Sequence, residues 1–197
     1  MLFSKIRTLD LPWPLLGVEA LLIVLSVLLA LALDNWRDER EHRELVHRAM
    51  QSFVDEMRYN CQRILVVADY HQAVLSGEQS PQGLQVGLLR NDAWEVVKTS
   101  GAAAWLDYDL IEQMSAISIR QGDHRAVMQA YLQAMFLLML PQSDSSNWHQ
   151  PGERGVINEL HTIQDELQSR YLRLAEQFAT AAPAAVQTEL VCQRSVG

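Results

Sequence analysis

The chain has 197 residues, with 16 Lys and Arg against 24 Asp and Glu and a formal charge of −8. That balance excludes a general nucleic-acid binder, which needs a basic face to displace counterions. Cys61 and Cys192 are the only cysteines, too few for a zinc site of their own or a disulfide scaffold.

Residues 1–10, with Lys5 and Arg7, form a short basic flank. Residues 11–33 then read LPWPLLGVEALLIVLSVLLALAL, and Glu19 is their one ionisable side chain. As a helix this stretch is about 34 Å long, enough to cross a hydrocarbon core of about 30 Å. Trp13 and Trp36 bracket it as membrane-interface anchors, where indoles favour the headgroup region. A secretory signal is the alternative, since Ala30-Leu31-Ala32 offers a small-x-small cleavage site. The run exceeds a usual signal core, however, and its helical pattern continues past that site. An uncleaved anchor is expected. Lys5, Arg7, Asp10 and Glu19 cancel, so the whole negative charge lies beyond residue 33.

Residues 34–48 are charged on nearly all sides, with Glu39 and Arg43, and Glu44 and Arg48, at the favourable i,i+4 spacing of a solvated helix. No Gly or Pro occurs from Val18 to Ser76, which predicts one long helix running out of the membrane segment. A seam then emerges at Val46, Met50, Phe53, Met57, Asn60, Ile64, Val67, His71 and Val74, widened by Val54, Cys61, Ala68 and Leu75. Its breadth fits a core-facing helix better than an isolated coiled coil. Asn60 and His71 are the polar members and candidate seam contacts.

Residues 77–83 are turn-like, with a short helix expected after them. Asn91-Asp92 is placed to cap a helix from Ala93, Thr99-Ser100-Gly101 to break it, and Asp109 to cap the next. Gly122-Asp123 reads as a further break, followed by an apolar helix over 126–140 that Pro141 stops. Pro141–Gly155 is expected to be a polar loop. Ile157, Leu160, Gln164, Leu167, Tyr171, Leu174 and Phe178 then repeat the three-four spacing and offer the natural partner for the first seam. The tail, 182–197, is expected to fray. The fold class is therefore all-α: a transmembrane helix (11–33), a charged juxtamembrane helix (34–48) and an antiparallel helical bundle over 49–181.

Gly17, Glu19, Ala30-Leu31, Asp34-Asn35-Trp36 and the charged Arg37-Asp38-Glu39-Arg40 together resemble a family of small bacterial single-pass membrane proteins of unknown function. Trp94 and Ser100-Gly101 look like a further shared element. The resemblance covers about residues 17–48. It implies a membrane anchor with a helical domain and brings no activity with it.

Glu19 is the sharpest single residue, because a carboxyl group in hydrocarbon is costly unless paired, protonated or near the surface. It is a candidate intramembrane contact with a partner or a second copy; a shallow, solvated acid is the plain alternative. Glu44-Leu45-Val46-His47 matches one half of a carboxylate-bridged di-metal motif, but no second half follows, so no metal site is expected. His71 reads as a packed core histidine and His124 as a helix-start residue. Trp148 and His149 lie in the long loop, a natural place for recognition. Cys61 belongs to the apolar stripe, and pairing with Cys192 requires an oxidising compartment.

No catalytic constellation or cofactor motif emerges. The expected function is that of a scaffold or assembly component of the bacterial inner membrane. Its expected partners are the lipid bilayer and a protein or second copy, with no nucleic acid. The Lys and Arg tally favours a cytoplasmic domain, whereas the signal-anchor arrangement favours the periplasm, towards which the reading leans. A single-pass ligand-sensing bundle is the runner-up, and a membrane-anchored enzyme the third reading.

Overall fold

The computed structural model describes residues 13–77, 85–138 and 151–181, with side chains over 17–77, 85–136 and 154–179. It is all-α, with four helices and no strand among the described residues: α1 (Trp13–Ser76), α2 (Ala93–Thr99), α3 (Tyr108–Leu138) and α4 (Pro151–Ala181). A 3-10 turn (Ala102–Trp105) joins α2 to α3. The rest of the expected loop after Gly77, at 78–84, the loop at 141–150 and the tail at 182–197 lie outside the described residues.

The chain divides into two compact units, Met1–Arg43 and Glu44–Gly197. In the first, the helix from Gly17 is long and apolar enough to cross a membrane. Its large side chains are uncovered, from Val18 at 58% exposed to Leu33 at 66%. The Ser26 hydroxyl donates to the Leu22 carbonyl at 2.6 Å, satisfying itself within the helix. Arg37–Glu41 and Arg43–Glu39 form exposed i,i+4 pairs, each at 3.3 Å. Arg40 lies over the Trp36 ring at 5.7 Å.

The second unit holds the core. Met50, Phe53, Val54, Met57, Cys61, Ile64 and Val67 of α1 are buried, as the seam predicts. So are Ile157, Leu160, Leu167, Tyr171, Leu174 and Phe178 of α4. One apolar cluster joins α1 and α4 to Ala93 and Val97 of α2 and to Leu110, Met114 and Ile117 of α3. A smaller cluster gathers Tyr70, Met128, Tyr131, Ile157 and Leu160.

Three helix boundaries differ from expectation. Residues 85–90, the described part of the segment expected to form a short helix, are irregular. Their backbone is held instead by α1: Arg63 donates to the Val86 carbonyl at 3.0 Å, and the Arg90 N–H donates to Asn60 Oδ1 at 2.8 Å. Gly87 packs so closely on Val67 that a Cβ there would lie 3.0 Å from a valine methyl. Gly122-Asp123 does not break α3, which runs unbroken through both, because a single glycine costs a packed helix only about 1 kcal/mol. The third difference is at α4, which begins at Pro151, so the polar loop stops short of Gly155. Pro suits the first helical position, where its missing N–H has no partner to lose. The break at Thr99-Ser100-Gly101 is present, and Gly101 at φ 78° takes the left-handed conformation that ends α2.

Candidate functional site

Polar groups run through the interior of the Glu44–Gly197 unit in two layers. In the first, Tyr171 of α4 is fully buried, and its hydroxyl accepts from Asn60 Nδ2 of α1 at 3.3 Å and from Gln121 Nε2 of α3 at 3.0 Å. Asn60 Nδ2 also donates to the Arg90 carbonyl at 3.0 Å. Burial pushes the Tyr171 phenol well above its ordinary range, so it stays a neutral hydroxyl.

In the second layer Gln164 of α4 lies between two histidines. Its Oε1 is 3.1 Å from His71 Nδ1 of α1, and its Nε2 is 3.0 Å from His124 Nε2 of α3. An amide oxygen only accepts and an amide nitrogen only donates. These contacts therefore assign the proton of His71 to Nδ1 and leave His124 Nε2 as an acceptor. Burial lowers both imidazoles to about 4, and each is further disfavoured in its charged form by a neighbouring histidine, His161 for His71 and His71 for His124. His124 is thus a mid-helix core residue, not a helix-start residue. Among the described residues, His71 Nε2 and Gln121 Oε1 are buried without a hydrogen-bond partner.

A third polar element opens to the surface. Glu56 of α1 is 6% exposed. Its Oε2 accepts from the backbone N–H groups of Asp92 and Ala93, at 2.7 and 2.8 Å. The carboxylate thereby caps α2 from another helix, while Asp92 occupies the N-cap position and makes no side-chain cap bond. Asp109 likewise falls inside the first turn of α3, whose first described bonds go to the Asp107 carbonyl. Beside this cap lies a groove of about 460 Å³ between α1 and the start of α2. Arg48, Ser52, Asp55 and Glu56 line one wall, and Arg90 and Asp92 the other.

The residues singled out from sequence separate into two places. Asn60 and His71 sit in the polar layers. Glu19 is exposed on the apolar part of α1, and Trp36 is 56% exposed. The side chain of Trp13 and all of Trp148 and His149 lie outside the described residues. Glu44 pairs with Arg48 at 3.4 Å on the solvated surface. No group of three or more His, Cys, Asp or Glu side chains suited to a metal ion occurs among the described residues. Cys61 is fully buried and disulfide-bonded; the chain's other cysteine, Cys192, lies outside the described residues.

Sequence reading missed Gln121 and Glu56. Gln121 had a signal: Met114, Ile117, Gln121, His124, Met128 and Tyr131 keep three-four spacing straight through the glycine. Glu56 had none, since its role depends on where residues 92–93 arrive.

No protein-family model matches the chain, and no curated protein or solved structure matches it either.

Proposed function

We propose that this chain is a single-pass protein of the bacterial inner membrane, whose antiparallel helical bundle lies on the periplasmic side and acts through protein contacts. One observation carries the reading: the apolar part of α1 has none of its window buried among the described residues. Leaving that much hydrocarbon in water costs on the order of 1.5–3 kcal/mol per large side chain, so lipid or another protein must cover it. Trp36 and the exposed ion pairs that follow it suit the exit from a bilayer. The disulfide at Cys61 supports the periplasmic side, because such bonds persist in oxidising compartments.

Fusion of alkaline phosphatase to the C-terminus tests the orientation: activity is expected, and a fusion active only as a cytoplasmic fluorescent protein would reverse it. Release of the full chain from membranes by alkaline carbonate would remove the anchor. Mild-detergent pull-down tests the mode of action, with a stable partner or a second copy expected. Loss of crosslinked assembly in Glu19→Leu would locate the contact inside the membrane, and unchanged assembly would exclude Glu19 from it.

The groove between α1 and α2 favours the second reading, a ligand-sensing bundle, which is compatible with the same anchor.

A further inference from the structure

The layer formed by His71, Gln164 and His124 has a direction. Gln164 accepts at Oε1 from His71 Nδ1 and donates from Nε2 to His124 Nε2. Turning the amide over would set its Nε2 against the N–H of His71, donor against donor, and leave two acceptors facing each other at His124. One polarity is therefore allowed while both rings are neutral. His71, His124 and Gln164 are all buried, so a bond lost here is not replaced from solvent.

The layer also divides the core. Along α4, Ile157 and Leu160 precede Gln164, while Leu167, Tyr171, Leu174 and Phe178 follow it; along α3, Met128 and Tyr131 lie beyond His124. The smaller apolar cluster thus stands on one side of the layer and most of the larger on the other. Few titratable groups bear on the two imidazoles. From α4, His161 acts on His71 and is itself 3.0 Å from Asp165. From α1, the Tyr70 ring lies 5.9 Å from that of His71, and its hydroxyl is 3.5 Å from that of Tyr131 on α3. His71 in turn acts on His124, whose neighbour Asp123 pairs with Arg120 at 3.2 Å. Among the described residues, no carboxylate is hydrogen-bonded to either ring to hold a proton on it.

We propose that this layer is an acid-operated latch, which ties residues 157–164 of α4 to α1 and α3 while both imidazoles are neutral and releases them when either takes a proton from solvent. On His71 the proton enters at Nε2, which is buried without a partner among the described residues, so a cationic N–H arises where nothing accepts it. On His124 it enters at Nε2, since Nδ1 already carries the hydrogen of the neutral ring, and a donor then faces the Gln164 Nε2 donor. Reversing the amide gives no relief, because it moves the same clash to His71. Each charge is relieved by water, which reaches the rings only when this stretch of α4 moves out. The larger cluster holds no histidine among the described residues and stays closed. The latch belongs to the Glu44–Gly197 unit alone, so it stands whether or not the membrane reading does.

The test follows amide exchange of the full chain in mild detergent by mass spectrometry from pH 7 to pH 4, corrected for the intrinsic effect of pH on exchange. Protection within residues 124–131 and 157–164 is expected to fall about tenfold or more between pH 6 and pH 4, while residues 50–57 and 171–178 keep theirs. Loss in both sets together overturns the latch in favour of global acid unfolding, and retention in both overturns it outright. Combining His71→Asn with His124→Gln keeps a donor towards Gln164 Oε1 and an acceptor towards its Nε2, but neither amide titrates. That variant is expected to lose the acid response, and a response that survives it overturns the proposal. Nitrogen-15 NMR of the histidine-labelled natural chain checks the starting state without any substitution. His71 carrying its proton on Nδ1 at pH 7 is expected, and the opposite tautomer overturns the assigned polarity and the latch with it.

Discussion

Asn60 and Tyr171 are 111 positions apart in the chain, yet Asn60 Nδ2 donates to the Tyr171 hydroxyl at 3.3 Å inside the core. That bond joins α1 to α4, and Gln121 adds α3 at the same oxygen. Removing the hydroxyl by Tyr171→Phe leaves Asn60 with the Arg90 carbonyl but strips Gln121 Nε2 of its acceptor. Since Gln121 Oε1 already lacks a donor, the whole amide becomes unsatisfied. The expected loss is about 1–3 kcal/mol, read as a lower urea midpoint at unchanged slope. Adding Gln121→Leu should restore part of it, because an apolar pair no longer buries an empty amide.

Acid should loosen the His71–Gln164–His124 layer before it affects the rest. Both histidines have an ordinary pKa of 6.5 and are lowered to about 4 in the fold, chiefly by burial. Between those values the unfolded chain binds more protons than the native one. Their contribution is therefore complete above pH 6.5 and is lost as the pH falls towards 4. The first histidine to charge accounts for about 3 kcal/mol over that window. Denaturant melts at pH 7, 6, 5 and 4 check the slope. His124→Gln, which can still accept from Gln164, should flatten it by roughly half. Glu166 titrates in a separate, lower window, because Arg170 and then Arg120 hold its carboxyl below the usual range.

The cap on α2 makes an unusual contrast between two acids. Glu56→Ala should cost about 1–2 kcal/mol or more, since it frees two N–H groups in a partly buried position. Asp92→Ala should cost little, although Asp92 holds the N-cap position. Equal losses from the two variants, by chemical denaturation, would contradict this assignment.

Reduction should destabilise the protein through Cys61. A non-reducing gel of the full chain is expected to show faster migration than a reducing one, and dithiothreitol should lower Tm. A disulfide typically contributes about 2–4 kcal/mol. Cys61→Ala should abolish the response to dithiothreitol, and a persistent response would mean that it has another source.

The helical seams were legible because spacing is a property of the chain itself: Met50 to Val67 and Ile157 to Phe178 are buried where the three-four pattern puts them. The polar residues in those seams, Asn60, His71 and Gln164, were legible as exceptions, but their mutual bonds were not. Which exception meets which depends on the register between helices far apart in sequence. Gly122-Asp123 misled because a local breaker was weighed above a period that continued on both sides of it. Glu56 was illegible for the opposite reason. It looks like one more acid beside a seam, and only the path of residues 85–93 across α1 turns it into a cap.

That path bears on the order in which the molecule assembles. With seven residues, α2 is too short to hold itself together in water, and its leading N–H groups find their acceptor on a helix more than 30 positions upstream. It cannot nucleate; it can only condense onto an α1 that is already in place. The amide protons of Asp92 and Ala93 are therefore a native clock for that docking, and their exchange with solvent records every moment at which α2 lifts away.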